Sequence, residues 1–389
     1  MRRISWVGLT NFVSLPPTND THTMAKNSPY RPHAKWHDYT KRGIYLITLV
    51  VSGREHILSE LNMDAKHPDV ILTETGKKVV ENWRRIPEFQ AKYSRKIKMM
   101  HCVAMPDHFH GIIFVEEDMD IKLGSVLRGF KSGCTREWRR INGIVNIKTE
   151  SASGHLSINR RLDYYAALPR INQPLFDPDY DDSILFKRGQ LQNMIDYVKD
   201  NPRRAILRKM FPDLFRKYLK IEIAGRYYSA YGNIFLLRAP SKEQVYFHRF
   251  EQSPENLRKP MKDRIRYEET AAFQQERNEL ILHAQEDFTV LVNPAVSKGE
   301  QILRDDCFSL SLRMIHIQSR PMAEFYRPEK QRFEACAAGR LLILAPLELD
   351  KMDGYNDVDK SSKYSTFHNI NTLAKEITEF YGSAKIIAR

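Results

Sequence analysis

The spacing of apolar residues changes its grammar near the middle of the chain. In the first half, the run GIYLITLVV from Gly43 to Val51 is β-branched and aromatic, the composition of a buried strand. A threonine that can cap opens a helix predicted at about 73–93, with Val79, Val80, Trp83 and Ile86 at helical spacing. KIKMMHCVAM and HGIIFVEE read as two strands joined at Pro106–Asp107, which predicts an antiparallel hairpin. A basic helix follows at about 121–141, then a polar loop at 142–174 and the apolar segment Leu175–Leu185. A helix at about 189–199 stops before Pro202, because proline lacks an amide hydrogen and crowds the preceding turn. Strand, helix, hairpin, helix, helix predicts an α+β domain over 41–220, one antiparallel sheet with helices on one face.

Beyond about 220, VYFHRF, FTVLVNP, RMIHIQS and LLILAP are short apolar runs separated by helical stretches at about 265–285, 298–309 and 328–338. That alternation predicts a second, smaller domain with a parallel sheet at 240–350. A tail over 351–389 carries the polar stretch DGYNDVDKSSKYS and one amphipathic helix near 370–381. Residues 1–40 lack an apolar period and read as a loose leader, with Met24 as an alternative start.

Composition narrows the partners. Hydrophobic content of 42% and charged content of 28% place the 389 residues among folding proteins and exclude disorder as the explanation of the whole chain. The excess of 61 Lys+Arg over 48 Asp+Glu, a net charge of +13, favours a polyanionic partner. The charge is clustered: Arg128, Lys131, Arg136, Arg139 and Arg140 face only Glu137. Arg203, Arg204, Arg208, Lys209, Arg216, Lys217 and Lys220 stand against Asp213. Each run alone also reads as a solvated helix face. Cys102, Cys134, Cys307 and Cys336 form no paired spacing, which speaks against a zinc knuckle or a disulfide framework and fits a reducing cytoplasm. The sequence has neither an apolar stretch of spanning length nor a secretory leader, so no membrane partner is expected.

Candidate chemistry begins at His108-Phe109-His110. Side chains alternate along a strand, so both imidazoles project to one side and can hold a divalent ion. Such a pair is also common as mere structure. In QLQNMIDYVKDN the apolar stripe is Leu191, Met194, Ile195 and Val198, which leaves Tyr197 and Asn201 stacked on one flank, four residues apart. A tyrosine there is placed for use as a nucleophile, or is an amphipathic residue on a helix shoulder.

MPDHFHGIIF resembles the histidine motif of HUH transposases, specifically the REP-associated tyrosine transposases and their single-tyrosine insertion-sequence relatives. YDDSILFKRGQLQNMIDYVKDNPRRA is similar to that family's tyrosine helix, whose Tyr-x-x-x-Asn-Pro pattern is matched by Tyr197, Asn201 and Pro202. The resemblance covers about residues 40–205 and implies a ferredoxin-like HUH domain. It implies that His108 and His110 bind Mg²⁺ or Mn²⁺, that Asn201 supplies a third ligand, and that Tyr197 attacks single-stranded or hairpin DNA to give a 5′-phosphotyrosine. Lys131 and Arg136 match the helix expected to touch DNA phosphates, with Arg128, Arg139, Arg140, Arg203 and Arg204 as further DNA-binding candidates. Asp182 matches an acidic position with no assigned role. One tyrosine per site implies a homodimer, and the resemblance implies a cytoplasmic bacterial protein that is nucleoid-associated when bound to DNA.

The second domain has a looser resemblance, through VLVNPAVSKGE and FYRPEKQRFEACAAGRLLILAP, to the Rossmann-like domains of the DNA-processing protein A and lysine-decarboxylase-like (SLOG) group. It lacks a G-x-G-x-x-G run, and Ser297 and Lys298 at a helix N-terminus are its only anion-site candidates. Two other activities stay open. One is a domesticated DNA-hairpin binder that no longer turns over; the other is a zinc hydrolase built on the two histidines, for which no further ligand spacing speaks. Intact histidines and tyrosine favour the strand transferase.

Overall fold

Successive apolar residues along a strand need cover on both faces of the sheet, and β1 (Gly43–Val50) obtains it. The computed structural model describes residues 33–63, 68–143, 170, 173–187, 189–323, 326–328, 330–347 and 363–388. Most of the leader with Met24, most of the 142–174 loop and the start of the tail lie outside the described residues. The fold is α+β, and the chain divides into two compact units, Met1–Pro202 and Arg203–Arg389.

In the first unit, β1 lies inside a four-stranded antiparallel sheet of order β4-β5-β1-β6, with β4 at Ile97–Ala104, β5 at His108–Val115 and β6 at Asp181–Ile184. Strands β2 (Ser59–Asn62) and β3 (Asp69–Leu72) pair separately. The hairpin predicted at Pro106–Asp107 is β4–β5, with one irregularity between Met99 and His101. Thr73 caps α1 (Glu74–Arg84), its hydroxyl accepting from the Gly76 N–H at 3.0 Å. The single helix expected at 73–93 is two, because Pro87 has no N–H to continue the ladder; α2 (Ile86–Ala91) restarts with that proline in its first turn.

Tyr45, Ile47, Leu49, Phe109 and Ile113 form one core with Val79 and Trp83 of α1 and with Val126, Phe130 and Trp138 of α3 (Leu123–Ile141). On the opposite face, Leu46 and Ile112 pack with Val198 of α4 (Gln190–Met210). Helices therefore cover both faces, which corrects the expectation of one covered face; the physical reason is that β1 and β5 are apolar at consecutive positions. Helix α4 also runs on through Pro202 instead of ending before it. Burial of Val198 before the proline and Ile206 after it outweighs the one lost hydrogen bond.

Residues just ahead of β1 are tied beneath β6. The His33 ring bridges Asp179 and Asp182, and the Tyr39 hydroxyl donates to Asp182 at 2.8 Å. Hydrogen bonds to Asp179 and then Asp182 raise the His33 pKa from 6.5 to about 9, against the opposing effect of burial. Since the folded value lies above the unfolded one, this stabilisation is complete below about pH 6.5 and is lost as pH rises through about 9. The side chain is about one-third exposed, so screening limits the contribution to about 1–2 kcal/mol. His33→Ala is expected to lower Tm at pH 6 and to flatten its decline between pH 7 and 9.5. Parallel melting curves for the two proteins across that range would refute the assignment.

The second unit is built on a seven-stranded sheet of order β13-β7-β8-β12-β11-β10-β9. Strands β9 (Lys242–Gln244), β10 (Val290–Asn293), β11 (Met314–Ile317) and β12 (Leu341–Pro346) are parallel. Strands β7 (Lys217–Ile223), β8 (Arg226–Gly232) and β13 (Lys385–Ala388) extend the sheet antiparallel. The wholly parallel sheet expected over 240–350 is thus mixed, because strands from outside that range join it. The first parallel strand precedes VYFHRF rather than coinciding with it; Val245 and Phe247 are buried without being strand. Helices α5 (Ala271–Glu286), α6 (Lys298–Ser309) and α7 (Lys330–Ala337) contribute Phe273, Leu303 and Cys336 to one core. Helix α8 (Lys363–Glu379) contributes Ile370, Leu373 and Ile377 to a second core, with Val292 and Ile315. The tail expected to follow the domain is part of it. Among the described residues, no helix is long and apolar enough to cross a membrane.

Candidate active site

His108 and His110 alternate with Phe109 along β5, and Phe109 is committed to the helix-packed core on the other face. The two imidazoles consequently share a face, with ring centroids 4.8 Å apart and planes at 80°. Each ring is held through Nδ1. His108 Nδ1 lies 2.6 Å from Asp107 Oδ1, and His110 Nδ1 lies 2.8 Å from the hydroxyl of Thr48, its cross-strand partner. Burial opposes ionisation of Asp107, but His108 and then Arg54, which donates to Oδ2 at 3.2 Å, hold its carboxyl well below the usual range. Burial, aided by His108, pushes His110 down to about 3, so this imidazole is neutral across the physiological range. With Nδ1 of each ring engaged, Nε2 is the atom each offers to a ligand.

Tyr197 reaches this face from α4. Its ring centroid is 6.1 Å from that of His110, and its ring packs against the buried Leu46, Ile112 and Val198. The tyrosine sits on the edge of the apolar stripe, partly covered by it, rather than clear of it. One turn later Asn201 is only 7% exposed, and its Nδ2 is buried with no hydrogen-bond partner. A buried N–H without a partner is costly, and an acceptor such as a phosphate oxygen or a water would offset that cost. Among the described residues, no group of three or more His, Cys, Asp or Glu side chains could hold a metal. A cation bound by the two Nε2 atoms would draw further ligands from groups of another kind, such as an amide oxygen, water or a phosphate. The two imidazoles fit a divalent ion with open positions, and the Asn201 N–H fits an acceptor on whatever fills them.

The strand register separates two neighbouring aspartates. Asp182 pairs with Ile47, so it projects away from the histidines and is taken up by His33 and Tyr39. Asp181 pairs with Thr48 and projects to the histidine face. Sequence reasoning singled out Asp182 and missed Asp181, Thr48 and Asp107. Period-two alternation is the signal that finds Asp181, but only once the register is known.

The basic residues divide by what they touch. Lys131 donates to the carbonyls of Asp177 (3.1 Å) and Pro178 (2.7 Å), Arg139 donates to Gln173 O at 3.3 Å, and Arg140 pairs with Glu137 at 2.9 Å. Arg128 and Arg136 lie exposed on α3. In the second unit Arg203 pairs with Glu334, while buried Arg204 donates to Pro328 O at 3.0 Å and lies 4.1 Å over the Phe333 ring. The Arg204 guanidinium serves internal packing, whereas the Arg203–Glu334 pair lies at the surface. Ser297 caps α6, and Lys298 is exposed. The carboxylate of Glu300 accepts from the N–H groups of Val296 (2.6 Å), Ser297 (3.1 Å) and Phe247 (3.4 Å). The chain's own carboxylate thus takes the N–H groups just ahead of this helix, and the Ser297 hydroxyl takes that of Glu300 at 3.2 Å.

Neither a family model nor a curated protein sequence matches the chain. Among solved structures, a REP-associated tyrosine transposase bound to a REP hairpin is similar over 46% of this chain and 74% of its own, at 16% identity and a TM-score of 0.28.

Proposed function

We propose that the first unit is a DNA strand transferase that cleaves and rejoins single-stranded or hairpin DNA through a tyrosine-linked intermediate. The observation that carries this reading is the convergence of His108, His110 and Tyr197, from a strand and a distant helix, on one face of the sheet. In the proposed step the Tyr197 oxygen attacks phosphorus, the bond from phosphorus to O3′ breaks, and O3′ leaves with a proton as a free hydroxyl. A phenolate is a good leaving group, so the 5′-phosphotyrosine keeps the step reversible and permits rejoining. Mg²⁺ or Mn²⁺ held by His108 and His110, with Asn201 as a further ligand, would neutralise charge developing on the phosphate oxygens. Asp107 and Thr48 hold the two imidazoles with Nε2 outward, and the packing of Tyr197 on Leu46 and Ile112 limits the positions its hydroxyl samples. Exposed Arg128 and Arg136 meet DNA phosphates in this reading. Because each chain carries one such tyrosine, two cleavages call for a homodimer.

The test is incubation of the purified chain with end-labelled single-stranded hairpin DNA from the gene's own flanks, with Mn²⁺ or Mg²⁺, followed by denaturing electrophoresis. A slow-migrating covalent adduct, lost with chelator, is expected. Hairpin binding without adduct in either metal would refute the enzyme and leave a DNA-binding protein.

A further inference from the structure

Trp36 and Phe186 are 67% and 48% exposed, with ring centroids 5.3 Å apart. Scattered exposed apolar residues are ordinary, but this pair is built in place. His37 packs edge-on against both rings, at 5.6 and 6.0 Å, and its Nε2 is hydrogen-bonded to the buried Tyr45 hydroxyl at 2.8 Å. The Phe186 segment is fixed from the other side, where Gln190 Oε1 accepts from the N–H groups of Phe186 (2.9 Å) and Lys187 (3.0 Å). The surface is therefore ordered before any ligand arrives, which reduces the entropy lost on binding.

Its surroundings select the occupant. Lys35 and Lys187, each adjacent in sequence to one of the aromatic residues, are exposed. The neighbouring Asp38 spends Oδ1 on the backbone N–H (3.0 Å) and hydroxyl (2.8 Å) of Thr40. Exposed aromatic faces with an exposed lysine next to each in sequence match an unpaired base carried on a phosphodiester strand. A duplex keeps its base faces stacked internally and offers nothing to fill the platform.

We propose that Trp36 and Phe186 form a stacking platform for an unpaired nucleobase of single-stranded DNA, with Lys35 and Lys187 taking the flanking phosphates. The choice of DNA as the nucleic acid rests on the strand-transferase reading; the platform itself rests on the aromatic geometry.

The experiment titrates the full chain, with chelator present so that no strand is cut, against a fluorescein-labelled 16-mer as single strand, as duplex, and as single strand with an abasic residue at each position in turn. Trp36→Ala and Phe186→Ala are each expected to weaken single-strand binding by about tenfold or more while leaving duplex binding unchanged. Trp36→Phe keeps a stacking face and is expected to stay within about threefold of the unaltered chain. One abasic position reproduces the Trp36→Ala loss, and single-strand binding quenches a tryptophan signal that Trp36→Ala lacks. Unchanged single-strand affinity in the double alanine variant, or equal weakening on duplex, overturns the platform. If the unaltered chain forms no adduct with Mn²⁺ yet Trp36 quenching persists, the enzyme reading fails and the platform stands. If the adduct forms and both alanine variants bind normally, the platform fails and the enzyme reading stands.

Discussion

Tyr197→Phe is expected to abolish the covalent DNA adduct and to reduce strand cleavage by at least about a thousandfold. The phenylalanine ring keeps the contacts to Leu46, Ile112 and Val198, so Tm should move little, by the equivalent of about 1 kcal/mol or less. Hairpin affinity should likewise survive. Chelation of the unaltered chain is expected to give the same chemical phenotype with the nucleophile intact, which separates loss of the attacking oxygen from loss of charge neutralisation. Retained adduct in Tyr197→Phe, detected by denaturing electrophoresis and mapped by mass spectrometry, would move the nucleophile elsewhere.

The largest effect on stability is expected where β5 meets α1. Gly111 follows His110 directly and faces the fully buried Trp83; a Cβ at 111 would stand 2.3 Å from the indole Cζ2 and 2.8 Å from the Phe109 ring. Trp83→Ala is expected to cost about 3–5 kcal/mol through lost contacts and a cavity. Gly111→Ala is expected to cost about 1–3 kcal/mol by overpacking, and it moves the strand that carries the histidines. The double variant removes the ring that the new methyl group strikes, so the two costs should not add. Urea unfolding of all four proteins measures the coupling. Additivity to within about 0.5 kcal/mol would show that the indole does not set the space at Gly111.

Much of the site is legible in the sequence because its signals are local. His-x-His at a strand start fixes a shared face whatever surrounds it, and the four-residue spacing of Tyr197 and Asn201 stacks them on any helix. The hairpin at Pro106–Asp107 and the cap at Thr73 are local for the same reason. What stayed hidden depends on long-range pairing. Asp181 and Asp182 differ in role only through the register against β1, and Thr48 becomes the partner of His110 only when β1 and β5 align. The partners of Arg203 and Arg204, namely Glu334, Pro328 and Phe333, are hidden for the same reason, since they lie far along the chain. Pro202 predicted a helix end because local preference says so, and tertiary burial overrode it.

The position of β1 also bears on how the chain is made. Its neighbours in the sheet are β5 and β6, so Thr48 waits for His110 on one side and for Asp181 on the other. During synthesis from the N-terminus, GIYLITLV emerges with both edges bare and both faces apolar, while β4 and β5 can close on each other as soon as they appear. An apolar strand thus waits with unpaired edges until β5 and β6 appear, which is the situation that invites wrong pairing. Tyr197 is made after all four strands of the sheet, so the site can be completed only once the hairpin that carries half of it has already emerged.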